Sequence, residues 1–70
     1  MKYIHAANAT KLVELAHSSR EQVYLHRDHI TVDAKSILGV ISLVFFDGVS
    51  VETKDHEIAE KLREVMNATD

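Results

Sequence analysis

The chain contains five histidines, whose imidazole rings can act as nucleophiles or metal ligands. An imidazole is a nucleophile that takes up an activated phosphoryl group, and His5 lies just before a predicted helix start. The free N–H groups of a helix start favour negative charge on such a side chain. A simpler interpretation is an unordered side chain near the chain end. The five are His5, His17, His26, His29 and His56.

A metal site is a second possibility, because His26 and His29 flank a predicted turn. Zinc needs three or four well-spaced ligands and no others are evident, so we expect structural or solvent-facing roles for both. The chain also lacks Cys, a Gly-rich phosphate loop, a Gly-x-Ser-x-Gly elbow and a His-Glu-x-x-His motif. The sequence therefore predicts no metal site, no cofactor and no enzyme active site.

Ser36 stands directly before an apolar run, as helix-capping residues do. A phosphate on Ser36 would be stabilised at the helix start, and Lys35 could pair with it. Caps are far commoner than phosphosites, so a plain cap is the simpler interpretation. Ile37, Leu38 and Ile41 follow Ser36, and a place in the core is one interpretation of these apolar residues. A helix that is apolar all round must expose part of its surface, however, which predicts a docking surface formed by the same residues.

Apolar residues that recur every three or four positions predict the helices that position these side chains. The first covers Ala9–His17, and its two candidate caps are His5 and Asn8, of which Asn8 has the better capping chemistry. The stretch from Ser36 to Phe46 is ambiguous by periodicity, and we favour a helix because a capping residue precedes the apolar run. The last helix follows Asp55, another capping residue.

Alternation of apolar and polar residues predicts the strands. Residues 21–26 and 30–32 form a hairpin, and residues 49–53 form a third strand. The break between the first two has no glycine, so we expect His29 to adopt a positive φ. The predicted order is helix, hairpin, short helix, strand, helix. This order indicates an α+β fold with an open antiparallel sheet covered on one face.

The composition fits one small domain over residues 1–70. Hydrophobic residues make up 46% and charged residues 27%, which is the balance of a folded domain, but the size leaves no room for a deep active site. The net charge is −3 and the basic residues are dispersed, which argues against a nucleic-acid partner. The absence of Cys, of a signal segment and of a long apolar run predicts a cytoplasmic protein without membrane insertion.

Two segments resemble one known family, the HPr phosphocarriers of the bacterial sugar phosphotransferase system. Val32 to Leu43 is similar almost position by position to the family's regulatory serine segment, and Ile4 to Ala9 falls without a gap on its Leu-His-Ala-Arg-Pro-Ala motif. The resemblance implies an open-faced sandwich with His5 as phosphoryl acceptor and Ser36 as the target of a dedicated kinase. It implies partner binding by Lys35, Ile37, Leu38 and Ile41. The implied partners are an enzyme I-like phosphoryl donor, an HPr kinase, and sugar permeases or regulatory proteins.

Three positions depart from the family pattern. Ala7 stands where the family has an arginine, whose charge-assisted contacts would steady a phosphoryl group. Asn8 replaces a proline, and Tyr3 replaces a glycine. The sequence is therefore compatible with two functions: a phosphocarrier that uses His5, and a degenerate HPr-like module that docks to partners without phosphoryl transfer. The retained histidine in register favours the first.

The family also begins with an additional edge strand before the active-site loop, whereas this chain starts at that loop. Either residues 1–4 pair in its place or the strand over residues 49–53 keeps an exposed edge. An exposed edge invites pairing with another chain. The resemblance thus leads to the hypothesis of a homodimer formed through that edge.

Overall fold

The computed structural model describes residues 6–44 and 46–67. A short 3-10 helix over Ala6–Asn8 leads directly into helix α1, Ala9–His17. The predicted order of helix, hairpin, short helix, strand and helix is confirmed. The remaining elements are β1 (Val23–Arg27), β2 (Ile30–Asp33), α2 (Ile37–Ile41), β3 (Ser50–Thr53) and α3 (His56–Asn67).

The three strands form an antiparallel sheet in the order β2-β1-β3. Leu25 of β1 faces Val32 of β2 on one side and Val51 of β3 on the other. Successive side chains of a strand point to opposite faces, so Leu25 is fully buried while Tyr24 and His26, on the opposite face, remain half-buried. The sheet therefore has one covered and one open face, and the predicted α+β open-faced sandwich is confirmed.

The helices supply most of the apolar side chains on the covered face. α1 packs against both α2 and α3, and α3 packs against β3. Burial of each large side chain stabilises the fold by about 1.5–3 kcal/mol. The helical core residues are Ala9, Leu12, Ala16, Val40, Ile58, Leu62 and Met66.

No helix within residues 6–44 and 46–67 combines the length and apolar character needed to cross a membrane.

One local prediction was wrong, and a second is confirmed only in part. The positive φ in the hairpin turn belongs to Asp28, at 56°, and not to His29; aspartate is among the residues that tolerate this conformation best. Asn8 does occupy the N-cap position of α1, but its side chain makes no capping hydrogen bond. Its backbone angles, φ −98° and ψ −6°, are already helical because the 3-10 turn runs straight into α1.

The helix predicted from Ser36 to Phe46 is also shorter than expected, since α2 ends at Ile41. After that residue the backbone bonds tighten, with Leu43 N–H donating to Val40 O at 3.0 Å and Val44 N–H to Ile41 O at 3.1 Å. Such bonds between residues three apart are a common way for a helix to finish.

The buried Ser19 connects the loop after α1 to the start of α3. Its Oγ donates to Asp55 Oδ2 at 2.6 Å and accepts from the N–H of Glu21 at 3.1 Å. Asp55 Oδ1 in turn accepts from the N–H of Ile58 at 3.1 Å, which confirms the predicted cap of α3. The hydrogen bond from Ser19, followed by that from Ile58, holds the pKa of Asp55 below its usual value.

Because of these contacts, part of the free energy of unfolding depends on pH. Because the folded pKa of Asp55 is lowered, its carboxylate contributes stability above the ordinary aspartate pKa of 3.8, and this contribution is lost as the pH falls through the folded pKa. We expect Asp55→Asn to remove that part of the acid dependence of urea unfolding between about pH 7 and about pH 2. Glu60→Gln, at an exposed position of α3, is the control, and an unchanged acid dependence in Asp55→Asn would contradict the assignment.

Candidate functional site

A tight turn between β2 and α2 determines where Ser36 lies. Asp33 Oδ1 accepts from the N–H of Lys35 at 2.8 Å, and the carbonyl of Asp33 accepts from the N–H of Ser36 at 3.0 Å. An aspartate that bonds the backbone two residues on is a common turn device. Ala34, between Asp33 and Lys35, is fully buried, and its N–H donates to Val23 O of β1 at 2.9 Å. The turn is thus fastened to the sheet.

Ser36 is the N-cap of α2, as predicted. Its backbone is extended, with φ −101° and ψ 117°, and its Oγ accepts from the N–H of Gly39 at 3.2 Å. A Cβ on Gly39 would lie 3.2 Å from Val32 Cβ and 3.3 Å from Asp33 O, so glycine allows α2 to approach the end of β2 closely. The Ser36 side chain is exposed at the protein surface.

Lys35 fastens the turn to the end of α1. Its ammonium donates to the carbonyl of Ser19 at 3.0 Å, and its own carbonyl lies 2.9 Å from Nε2 of His17. The residue is half-buried. The structure gives Lys35 a positioning role in the fold, and its binding to a partner stays a prediction.

Helix α2 exposes most of its apolar side chains. Ile37 is 39% exposed, Leu38 77% and Ile41 51%, whereas Val40 of the same helix is fully buried. We call Ile37, Leu38 and Ile41 the α2 patch. Neighbouring exposed apolar side chains of this kind mark protein interaction surfaces. Ser36 lies immediately before this patch in the chain, as the sequence indicates.

One further surface feature near the end of α2 was missed at the level of sequence. Phe46 is 46% exposed, and the guanidinium of Arg27 lies 4.4 Å from the centre of its ring, a cation–π distance. The Nε of Arg27 also donates to the carbonyl of Asp47 at 3.2 Å. No sequence signal links these residues, because β1 and the loop before β3 meet only in the folded chain.

His5, the expected phosphoryl acceptor, lies outside the described residues, as do Tyr3 and the segment 1–4. Among the positions that follow, Ala7 is exposed and Asn8 is half-buried. The structure therefore brings together Ser36, Lys35 and the α2 patch, while the role of His5 stays a prediction.

The remaining histidines have defined surroundings on the surface. On the open face of the sheet, His26 Nδ1 lies 2.8 Å from Thr31 Oγ1, and Nε2 contacts a carboxylate oxygen of Glu52. His29 is exposed in the hairpin turn. Residues 6–44 and 46–67 contain no group of three or more His, Cys, Asp or Glu placed to hold a metal ion.

A family model described as PTS HPr component phosphorylation site matches residues 2–68. The chain belongs to the HPr family. The match spans both resembling segments, the one around His5 and the one around Ser36, and it confirms the family expected from them. HPr-family proteins are phosphocarriers of the phosphotransferase system. Among curated proteins, none matches this chain.

Solved structures of HPr-family proteins are similar to the whole described fold. Crh of Bacillus subtilis, described as a catabolite repression protein forming an intertwined dimer with a swapped domain, has 30% identity and a TM-score of 0.78, covering 97% of this chain and 85% of Crh. HPr-C-His from Thermoanaerobacter tengcongensis has 29% identity and a TM-score of 0.74, covering 96% and 81%. The HPr dimer from the same organism has 27% identity and a TM-score of 0.72, covering 93% and 80%.

Proposed function

We propose that this chain carries a phosphoryl group on His5 in the phosphoenolpyruvate-dependent sugar phosphotransferase system, working in the cytoplasm and docking through the α2 patch. The observation that carries the proposal is the exposure of this apolar helix directly after the turn at Ser36, in an HPr-family chain. The resemblance of Ile4 to Ala9 to the family's Leu-His-Ala-Arg-Pro-Ala motif supports His5 as the phosphoryl acceptor. The chain has no catalytic role of its own in this proposal, and it serves as a substrate of its partners.

The transfer step needs one imidazole nitrogen. That nitrogen of His5 attacks the phosphorus carried by an enzyme I-like donor, so a nitrogen–phosphorus bond forms as the donor's own bond to phosphorus breaks. A sugar permease component then takes the group by the same type of displacement, and His5 is regenerated. Ala7 offers no guanidinium for the phosphoryl oxygens. Backbone N–H groups at the start of α1 and groups of the partner would take over that task.

Docking through the α2 patch has a clear physical basis. Leu38, the most exposed of its side chains, gains on the order of 25 cal/mol for each Å² of apolar surface that a partner covers. Donor, kinase, permeases and regulatory proteins would all use the same three side chains. The partners would then compete for one surface, so binding of one excludes another.

We further propose that Ser36 is the target of an HPr kinase. Its exposed hydroxyl lies beside the α2 patch, so a phosphate there would place charge at the rim of an apolar interface and weaken binding of partners that bury it. The Lys35 ammonium is bonded to a neutral carbonyl, that of Ser19. A phosphate would offer that ammonium a stronger, charge-assisted hydrogen bond.

The carrier function is tested by intact mass. After incubation with enzyme I and phosphoenolpyruvate, we expect wild type to gain the mass of one acid-labile phosphoryl group and His5→Ala to gain none. His29→Ala, at an exposed histidine of the hairpin turn, is the control and should gain the group like wild type. Absence of any gain in wild type refutes the relay.

The kinase site is tested separately with HPr kinase and ATP. We expect wild type and His5→Ala to gain one acid-stable phosphoryl group, and Ser36→Ala to gain none. Ser50→Ala, at an exposed serine of β3, is the control. Circular dichroism checks that Ser36→Ala is folded, because loss of the cap lowers stability by about 1 kcal/mol. A phosphoryl group on Ser36→Ala would show that another residue is the target.

A second candidate function is a regulatory HPr-like module that docks without phosphoryl transfer. The observation that favours it is Ala7 at the position of the family's arginine, together with the similarity to Crh, which is described as a catabolite repression protein. In this function the α2 patch is essential and His5 is dispensable.

The α2 patch is tested by binding to enzyme I or to a permease component. We expect Leu38→Asp to weaken binding at least about tenfold, which is about 1.4 kcal/mol, because a buried carboxylate would face apolar partner surface. Ile30→Asp replaces an apolar side chain of β2 that is 46% exposed and is the matched control. Equal losses in both variants would contradict the α2 patch. Binding that Leu38→Asp abolishes and His5→Ala leaves intact, without mass gain in wild type, favours the regulatory module.

A further inference from the structure

The hydrogen-bond pattern of the sheet shows which way the backbone of β3 points. Ala34 N–H donates to Val23 O at 2.9 Å, so this pair is a hydrogen-bonded pair of the ladder between β1 and β2. Because each residue along an antiparallel strand alternates in the side to which it bonds, Tyr24 and His26 direct their backbone groups towards β3.

Within β3 the same alternation separates inner from outer residues. Glu52 faces Tyr24 and Ser50 faces His26, so Glu52 and Ser50 bond β1. The N–H and carbonyl groups of Val51 and Thr53 consequently point away from the sheet. Within residues 6–44 and 46–67, no hydrogen bond uses these outward groups. Unpaired backbone groups along a strand are a template for pairing with another strand.

The opposite edge of the sheet is different. On β2 the outward residues are Thr31 and Asp33, and the carbonyl of Asp33 already accepts from the N–H of Ser36 at 3.0 Å. That edge ends in the turn to α2, which packs against β2. The edge of β3 is therefore better suited to strand addition.

We propose that two copies of this chain associate by antiparallel pairing of their β3 strands about a twofold axis, with Val51 facing Val51 of the second copy. This proposal is independent of phosphoryl transfer. In this register Glu52 faces Ser50 of the second copy, and Thr53 faces Val49 of the second copy. The outward N–H and carbonyl groups of Val51 and Thr53 would then form hydrogen bonds with the backbone of the second copy.

Two alternative registers are less favourable. Pairing Val51 with Thr53 would set Glu52 directly opposite Glu52 of the second copy, and like charges opposite each other destabilise a sheet. Pairing Thr53 with Thr53 would set Val51 opposite Asp55, whose N–H is already bonded to Thr53 Oγ1 at 3.1 Å. Charge and hydrogen bonding therefore favour the register centred on Val51 over these two.

A dimer formed in this way leaves the α2 patch free. β3 and β2 are opposite edges of the sheet, and α2 packs beside β2. Each copy would offer its own docking surface, so one dimer would bind two partners.

Sedimentation equilibrium tests the surface. For wild type we expect the mass to rise from 7.9 kDa towards twice that value between about 10 μM and about 1 mM. Val51→Pro removes an outward N–H without a bond to β1 and should weaken association at least about tenfold. Thr31→Pro, the matched change on the edge of β2, should associate like wild type. A wild type that stays monomeric overturns the proposal, because the edge of β3 would then bind no second copy. Equal weakening of association by both proline variants overturns it too.

A second pair of variants tests the register without altering the backbone. Ser50 is exposed on the open face, so Ser50→Lys and Ser50→Glu should both fold, which circular dichroism checks. The introduced ammonium would face Glu52 of the second copy and tighten the dimer, whereas the introduced carboxylate would weaken it. In the register that pairs Val51 with Thr53, residue 50 faces Lys54 and the two effects reverse. Reversed effects, or none, overturn the proposal.

Discussion

Helix α2 has five residues, too few to be stable alone, so the surface that the protein presents depends on the turn that starts this helix. Asp33 closes the turn with its side chain, and Ala34 anchors it to β1. The Ser36 side chain then caps one free N–H of α2, that of Gly39. Without this fixed start, Val40 would not reach the core and the neighbouring apolar side chains would not be held outward.

The turn is tied to the rest of the molecule by a short series of polar contacts. The Lys35 ammonium bonds the carbonyl of Ser19, and the Ser19 hydroxyl bonds Asp55 at the start of α3. His17, at the end of α1, contacts the same turn, because its ring nitrogen Nε2 lies 2.9 Å from the Lys35 carbonyl oxygen. The end of α1 and the starts of α2 and α3 are therefore connected by these hydrogen bonds. A change of charge at Ser36 would act next to this series of contacts.

The fold also divides the surface by its two sheet edges. On the edge of β2, the carbonyl of Asp33 is bonded in the turn to α2, and α2 packs against this strand, so the apolar surface on that side belongs to a helix. The edge of β3 offers backbone groups instead, within the described part of the chain. A helix surface recognises partners through side chains, whereas a strand edge recognises them through its backbone. One small domain thus carries two surfaces of different chemistry on opposite sides.

Features that depend on residues close together in the chain could be predicted from the sequence. The caps at Ser36 and Asp55 were predictable because each accepts from an N–H three residues on, and the strands because their alternation reflects one buried face. The family followed from the residues around Ser36 and His5.

Which apolar residues stay exposed depends on the packing of the folded chain. In the run after Ser36, Val40 is buried and Leu38 is exposed because β2 and α1 cover only one side of α2. The same is true of Phe46, whose partner Arg27 comes from a distant strand. The outward direction of the Val51 backbone follows from the ladder between β1 and β3, which forms only on folding. Exposure and pairing depend on contacts between distant segments, and a local pattern of residues does not contain them.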